Sequence, residues 1–261
     1  RRRGQIVDVL NRLLSPRMIL DRTPERTAEL EGFNLGERLL LGEEQNSLRF
    51  EERGFVYELP TALTQKTGYY FDQRPLRDLV ERLSPGKRVL DTYCYTGSLS
   101  LAAARGGASE VRGVDQSALA IEVAGDCARL NGLESKCQFV CAPAHEALAQ
   151  AGRSGGWDLV ICDPPKLAPS RAAAKKALQN MRQVAGEAAR ATRRGGLLAL
   201  CSCSAAIGMD ELTRALALGA RDMGLAVTLL DRLYQGPDHP VPAAFPEGLY
   251  LSTVVAEVRA L

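Results

Sequence analysis

The chain has 261 residues, with 33 Lys plus Arg against 31 Asp plus Glu, 46% apolar and 25% charged residues; these proportions exclude a disordered, collagenous or coiled-coil chain. A net charge of +2 creates no bulk field for a polyanion, so any contact with nucleic acid has to come from local basic patches. The longest nearly apolar stretch, residues 195–208, is interrupted by Ser and Cys and falls short of the roughly 18 residues that cross a bilayer, so no membrane segment is expected.

Ile6, Val7, Leu10, Leu13 and Leu14 recur at helical spacing until Pro16 stops the helix. Residues 18–21, 38–41, 48–51 and 55–59 then read as short strands, which makes the opening a small mixed α+β unit, placed at residues 1–72. From about residue 87 the pattern becomes regular. Strands are predicted over 88–92, 110–114, 137–141, 157–162, 197–201, 225–233 and 249–258, and helices over 98–105, 117–131, 144–151, 172–193 and 209–223. Alternating strands and helices require a mostly parallel sheet covered on both faces, an α/β fold. The last two strands lack a helix between them, so they are expected to form an antiparallel pair at one edge.

Seven cysteines stand at 94, 127, 137, 141, 162, 201 and 203. An odd, scattered set without a secretory signal points to reduced thiols in the cytoplasm. Cys201 and Cys203 form a C-x-C, and the chain has only two histidines, so no metal site is expected.

The first turn of the regular region, Asp91-Thr92-Tyr93-Cys94-Tyr95-Thr96-Gly97, has a single glycine where a dinucleotide's pyrophosphate would need three, and no P-loop motif occurs. What remains is Asp91 at the end of one strand, the turn through Tyr93 and Gly97, and Asp115-Gln116 at the end of the next. A carboxylate at Asp115 can accept from both hydroxyls of a ribose, and Asp91 can hold an ammonium group. Each aspartate alone reads as a helix cap; two at successive strand ends read as a site. A ligand with ribose hydroxyls and an amino-acid end, but no phosphate, is S-adenosylmethionine.

The fourth strand of this region ends in Asp163-Pro164-Pro165-Lys166, where two prolines fix the backbone and hold the aspartate and lysine in the cleft. The fifth delivers Cys201-Ser202-Cys203-Ser204 to the same edge. A thiol there reads either as a small buried hydrophobe or as a nucleophile. The other cysteines take the first reading; Cys203, at the very end of its strand, takes the second.

The segment 66–74 (Lys-Thr-Gly-Tyr-Tyr-Phe-Asp-Gln-Arg), the 91–97 turn, Asp163-Pro164-Pro165-Lys166, Ser202-Cys203-Ser204, Asp238-His239-Pro240 and the 246–251 segment together resemble the class I large-subunit ribosomal RNA 5-methylcytosine methyltransferases over nearly the whole chain. The resemblance implies a seven-stranded Rossmann-like methyltransferase domain at residues 73–261, with Gln65, Tyr69, Asp91, Tyr93, Gly97, Asp115, Gln116 and Asp163 as cofactor contacts. It also implies that Cys203 is a nucleophile that adds to the base, that Asp163 bonds the base's polar edge, and that Lys166 contacts phosphate or a carbonyl oxygen. The expected partner is large-subunit ribosomal RNA, with a homodimer an option. The family's usual amino-terminal RNA-binding domain is not in this chain, and the usual acidic residue after the third strand is replaced by Cys141-Ala142-Pro143. Two alternatives stand beside this reading: an exocyclic-amine RNA methyltransferase, and a non-catalytic RNA-binding module on the same fold.

Overall fold

The computed structural model describes residues 2–34, 38–63, 68–166, 174–204 and 206–261. By contact the chain divides into two units, Arg1–Leu48 with Pro60–Ala62, and Arg49–Leu59 with Leu63–Leu261. Residues 49–59, 63 and 68–72, grouped by the sequence with the small opening domain, pack with the larger unit.

In the smaller unit, helix α1 (Arg3–Leu14) ends where Pro16 requires, with Ser15 in the left-handed region. Strand β1 (Met18–Leu20), the short helix α2 (Glu25–Leu30) and strand β2 (Leu39–Gly42) follow, β1 and β2 pairing antiparallel. The six residues of α2 are too few for periodicity to reveal.

The next two strands, β3 (Ser47–Glu52) and β4 (Phe55–Pro60), form a hairpin. Its two turn residues, Arg53 and Gly54, both take positive φ (54° and 76°), the turn whose twist matches that of the flanking strands. A 3-10 turn (Phe71–Gln73) leads into helix α3 (Arg74–Leu83).

The sheet domain then runs β5 (Arg88–Thr92), α4 (Ser98–Arg105), β6 (Glu110–Asp115), α5 (Ala118–Leu130), β7 (Cys137–Cys141), α6 (Ala144–Arg153), β8 (Trp157–Cys162), α7 (Ala174–Ala191), β9 (Thr192–Ser202), α8 (Met209–Asp222), β10 (Leu225–Tyr234) and β11 (Ser252–Ala260). The start of the helix predicted at 172–173 lies outside the described residues. Strand order is β10-β11-β9-β8-β5-β6-β7, and β11 runs antiparallel to both neighbours. The expected antiparallel pair is therefore present, with β10 at the edge. Its final strand starts at Ser252, because residues 246–248 form a 3-10 turn.

Residues 157–162 are mostly apolar because β8 is covered on both faces. Leu90, Val160, Leu198, Leu200 and Val254 pack beneath α6, α7 and α8. Residues of the other parity, Val89, Leu159, Ile161, Ala199, Cys201 and Val255, pack beneath α3 and α4. The chain winds outward from β5 through β7, then returns to β8 on the other side of β5. Such a reversal opens a crevice at the carboxyl ends of the two strands.

All seven cysteines are among the described residues and no disulfide joins any two. Among the described residues no helix is long and apolar enough to cross a membrane, and no group of three His, Cys, Asp or Glu residues could hold a metal ion.

Candidate active site

The crevice begins at the β5 to α4 turn. Tyr93 and Tyr95 take φ of 61° and 50°, left-handed conformations that cost a non-glycine residue about 1 to 2 kcal/mol each and that cluster where structure serves function. Gly97 closes the turn at φ 76°, where a Cβ would lie 2.8 Å from the Phe139 ring. Only glycine meets both conditions.

Asp91, at the end of β5, is fully buried. Ser100 Oγ donates to its Oδ2 at 2.7 Å, while Oδ1 is buried without a hydrogen-bond partner among the described residues. Burial pushes its carboxyl up to about 7, against the opposing Ser100 bond. An acceptor left open beside this turn suits the ammonium end of an amino-acid ligand.

Asp115 is half-buried at the end of β6. Its Oδ2 accepts from the Tyr95 N–H at 3.0 Å and its Oδ1 from the Ser117 N–H at 2.9 Å. These bonds fix the carboxylate, and each oxygen retains a second lone pair for a ribose hydroxyl. Gln116 is exposed, and its carbonyl accepts the Cys141 thiol at 3.5 Å; the neighbouring Ala142 N–H is taken by the Asp115 carbonyl at 3.0 Å. Tyr93 turns instead toward the core beneath α7, where burial raises its phenol and Cys162 and Glu187 add to the effect.

Across the crevice, β8 ends in half-buried Asp163, with Lys166 exposed. Gln73 Nε2 donates to Asp163 Oδ2 at 2.8 Å. Half-buried Cys203 follows the end of β9. Its turn is held by the serines on either side: Ser202 Oγ donates to the Ile207 carbonyl at 3.0 Å, and Ser204 Oγ accepts from the Ala206 N–H at 3.3 Å. Cys201 is fully buried, receives the Thr253 hydroxyl at 3.3 Å, and is held well above the usual thiol range by burial.

Gln65 lies outside the described residues. Tyr69, expected at the cofactor, is only 2% exposed: it sits 4.8 Å from the Tyr57 ring, Arg77 lies 4.9 Å over its face, and its hydroxyl donates to Glu52 at 3.3 Å. The next residue, Tyr70, is the one in the crevice, edge-on to Tyr95 at 5.3 Å. Burial pushes its phenol up to about 12, with Tyr95, Asp163 and Cys203 the next contributors. A buried ion pair supports it from behind. Glu52 meets Arg74 at 2.7 Å and Arg77 at 3.4 Å, and Arg77 donates to the Tyr70 carbonyl at 2.9 Å.

Sequence reasoning assigned no role to Tyr70, Asp72, Gln73 or Tyr250. The available signal was polar Asp72-Gln73 directly after an aromatic run, a pairing that a core segment does not need.

The sheet order, the single-glycine turn and the paired strand-end carboxylates define a Rossmann-like methyltransferase fold. A family described as S-adenosylmethionine-dependent methyltransferase matches residues 35–250. The chain belongs to that family, and S-adenosylmethionine is the family's cofactor. It is 34% identical over 243 residues to ribosomal RNA large subunit methyltransferase I of Shewanella denitrificans, covering 92% of this chain and 61% of the relative. The protein of that name from Escherichia coli O139:H28 is 32% identical over 259 residues, covering 98% of this chain and 65% of the relative. The chain thus spans less than two thirds of the length of these relatives. In three dimensions it is similar to SMU.776, a methyltransferase crystallised with SAH, at a TM-score of 0.74 and 22% identity, over 84% of this chain and 58% of that one. It is also similar to M. jannaschii TYW2 in complex with AdoMet, at 0.62 and 15% identity, over 86% and 90%. At these identities the structural likeness speaks for the fold.

Proposed function

We propose that the chain methylates carbon 5 of cytosine in large-subunit ribosomal RNA, through a covalent adduct with Cys203. The observation that carries this reading is the placement of Cys203 at the end of β9, in a turn fixed by Ser202 and Ser204, within electrostatic reach of Tyr70 and on the same crevice as Asp163. The names of the relatives support ribosomal RNA as the substrate.

Bound S-adenosylmethionine supplies an electrophilic methyl group. Asp91 Oδ1 would receive its ammonium and Asp115 its ribose hydroxyls. Carbon 5 of cytosine is a poor nucleophile; addition of the Cys203 thiolate at carbon 6 makes the ring enamine-like and splits one hard step into easier ones. Asp163, oriented by Gln73, bonds the polar edge of the base, and Lys166, exposed at the crevice mouth, meets phosphate or the base carbonyl. The base must be unpaired or flipped to reach Cys203.

The test is transfer of a radiolabelled methyl group from S-adenosylmethionine to large-subunit ribosomal RNA, followed by nucleoside analysis. Label in 5-methylcytidine is expected. Label in a methylated guanine or adenine would establish amine methylation instead, and absence of transfer despite cofactor binding would favour a non-catalytic module.

A further inference from the structure

The reaction proposed above leaves one proton without an acceptor. After methyl transfer, carbon 5 carries both the methyl group and its original hydrogen, and carbon 6 is still bonded to Cys203. A group beside the thiol has to take that hydrogen before the ring can be released. We propose that Tyr250 is this group and that Asp72 receives the phenol's own proton, because the structure places the Tyr250–Asp72 pair beside the turn that carries Cys203. This inference rests on the cytosine reading and deepens it.

The placement follows from strand register. In the antiparallel β9–β11 pair, Ser252 lies opposite Ser202 and Thr253 opposite Cys201. Ser252–Ser202 is the last pair of that ladder, so Tyr250 stands two residues before it on one chain segment and Cys203 one residue past it on the other. Tyr250 Oη donates to Asp72 Oδ2 at 2.5 Å, and Asp72 is 3% exposed, anchored through its carbonyl to the Gly236 N–H at 3.0 Å. The very next residue, Gln73, holds Asp163 at 2.8 Å. One 3-10 turn thus reaches both the group assigned to the polar edge of the base and the pair assigned to its hydrogen. Burial and the Asp72 bond hold the Tyr250 phenol protonated, and Cys203 is among the groups whose charge it feels.

The step balances. The hydrogen on carbon 5 passes to Tyr250 Oη as a proton while the phenol proton passes to Asp72. The electrons of the broken C–H bond form the carbon 5–carbon 6 double bond, and the carbon 6–sulfur bond breaks to release Cys203 as thiolate. Asp72 then returns a proton to solvent through Tyr250, restoring the pair. The rival group is His239, whose ring centroid lies 6.5 Å from that of Tyr250 and whose Nδ1 is 3.5 Å from Asp238. A merely structural role would make the Tyr250–Asp72 bond a tether between the Phe71–Gln73 turn and the segment before β11.

The experiment uses Tyr250→Phe, Asp72→Asn and His239→Asn with ordinary cytosine RNA and methyl-labelled S-adenosylmethionine, read on a denaturing gel, with cofactor affinity measured in parallel. For Tyr250→Phe, turnover should fall by about 10²- to 10⁴-fold, while a covalent protein–RNA complex carrying the labelled methyl builds up to one per enzyme. Asp72→Asn should accumulate the same complex, and His239→Asn should not. The proposal is overturned if Tyr250→Phe turns over at the wild-type rate, or loses turnover without accumulating adduct, in RNA whose 5-fluorocytosine form still traps the wild type. Accumulation in His239→Asn alone would overturn it in favour of the histidine. Failure of the wild type to trap 5-fluorocytosine while still methylating cytosine would remove the Cys203 reading, and this inference with it.

Discussion

Asp91 becomes charged only against its surroundings: it is fully buried, has one oxygen without a hydrogen-bond partner among the described residues, and its carboxyl is raised from 3.8 to about 7. Because the folded value exceeds the unfolded one, the unfolded chain releases this proton first. Asp91's contribution to the stability of the ligand-free protein is therefore greatest at low pH, declines from about pH 4 to about pH 7, and is level above that. A cationic ammonium at Oδ1 reverses the preference. Cofactor affinity should rise by up to about tenfold per pH unit approaching pH 7, with a proton released, then level off and decline near pH 8 as the ligand's own amine loses its charge. Calorimetry in buffers of different ionisation enthalpy reads that proton, and Asp91→Asn should flatten the profile below pH 7; an unchanged profile would remove Asp91 from the cofactor site. At Asp115 the loss is of hydrogen bonds to a charged acceptor, so Asp115→Ala should weaken S-adenosylmethionine binding by about 1 to 3 kcal/mol. Unchanged affinity would contradict the ribose assignment.

At the level of elements, the crevice depends on the buried ion pair between β3 and α3. Glu52 and Arg77 are 5% and 2% exposed, and removing one partner leaves a buried charge uncompensated, at a cost of about 3 to 5 kcal/mol. Glu52→Ala should therefore show that loss in urea unfolding, and should also reduce methyl transfer, since Arg77 holds the Tyr70 carbonyl; unfolding indistinguishable from wild type would contradict the buried pair. This is also where the sequence was hardest to read. Strands 88–92, 137–141 and 157–162 and helix 98–105 match the structure end for end, because a short apolar run between turn residues, as in 157–162, and a glycine before a helix are local signals. Helix α3 was passed over although Leu76, Leu79, Val80 and Leu83 recur at helical spacing; what that spacing does not show is that Arg74 and buried Arg77 are tolerable there because Glu52 arrives from a strand more than 20 residues earlier. Tyr69 and Tyr70 are indistinguishable as adjacent letters. Only the aromatic packing of Phe50, Tyr57 and Phe71 decides which of the two is internal.

At the scale of the whole molecule, alternating strands and helices were enough to anticipate a parallel sheet with one antiparallel pair, and strand-end residues were enough to bring Asp91, Asp115, Asp163 and Cys203 to one edge. The Tyr250–Asp72 bond was not legible, since its partners stand 178 positions apart and meet only when β11 inserts between β9 and β10. The central claim is that this edge works through a thiol adduct. Cys201 is the internal control: it lies two residues before Cys203, within β9, and is sealed beneath α3 and α4, so Cys201→Ala should lose only about 1 kcal/mol of stability and keep methyl transfer. The most direct measurement is covalent trapping on large-subunit ribosomal RNA containing 5-fluorocytosine, because fluorine cannot leave as the carbon 5 proton does. The wild type and Cys201→Ala should form a protein–RNA adduct that survives denaturation, and Cys203→Ala should form none while still binding S-adenosylmethionine. An active wild type without an adduct, or a Cys203→Ala variant that methylates at near wild-type rate, would contradict the account.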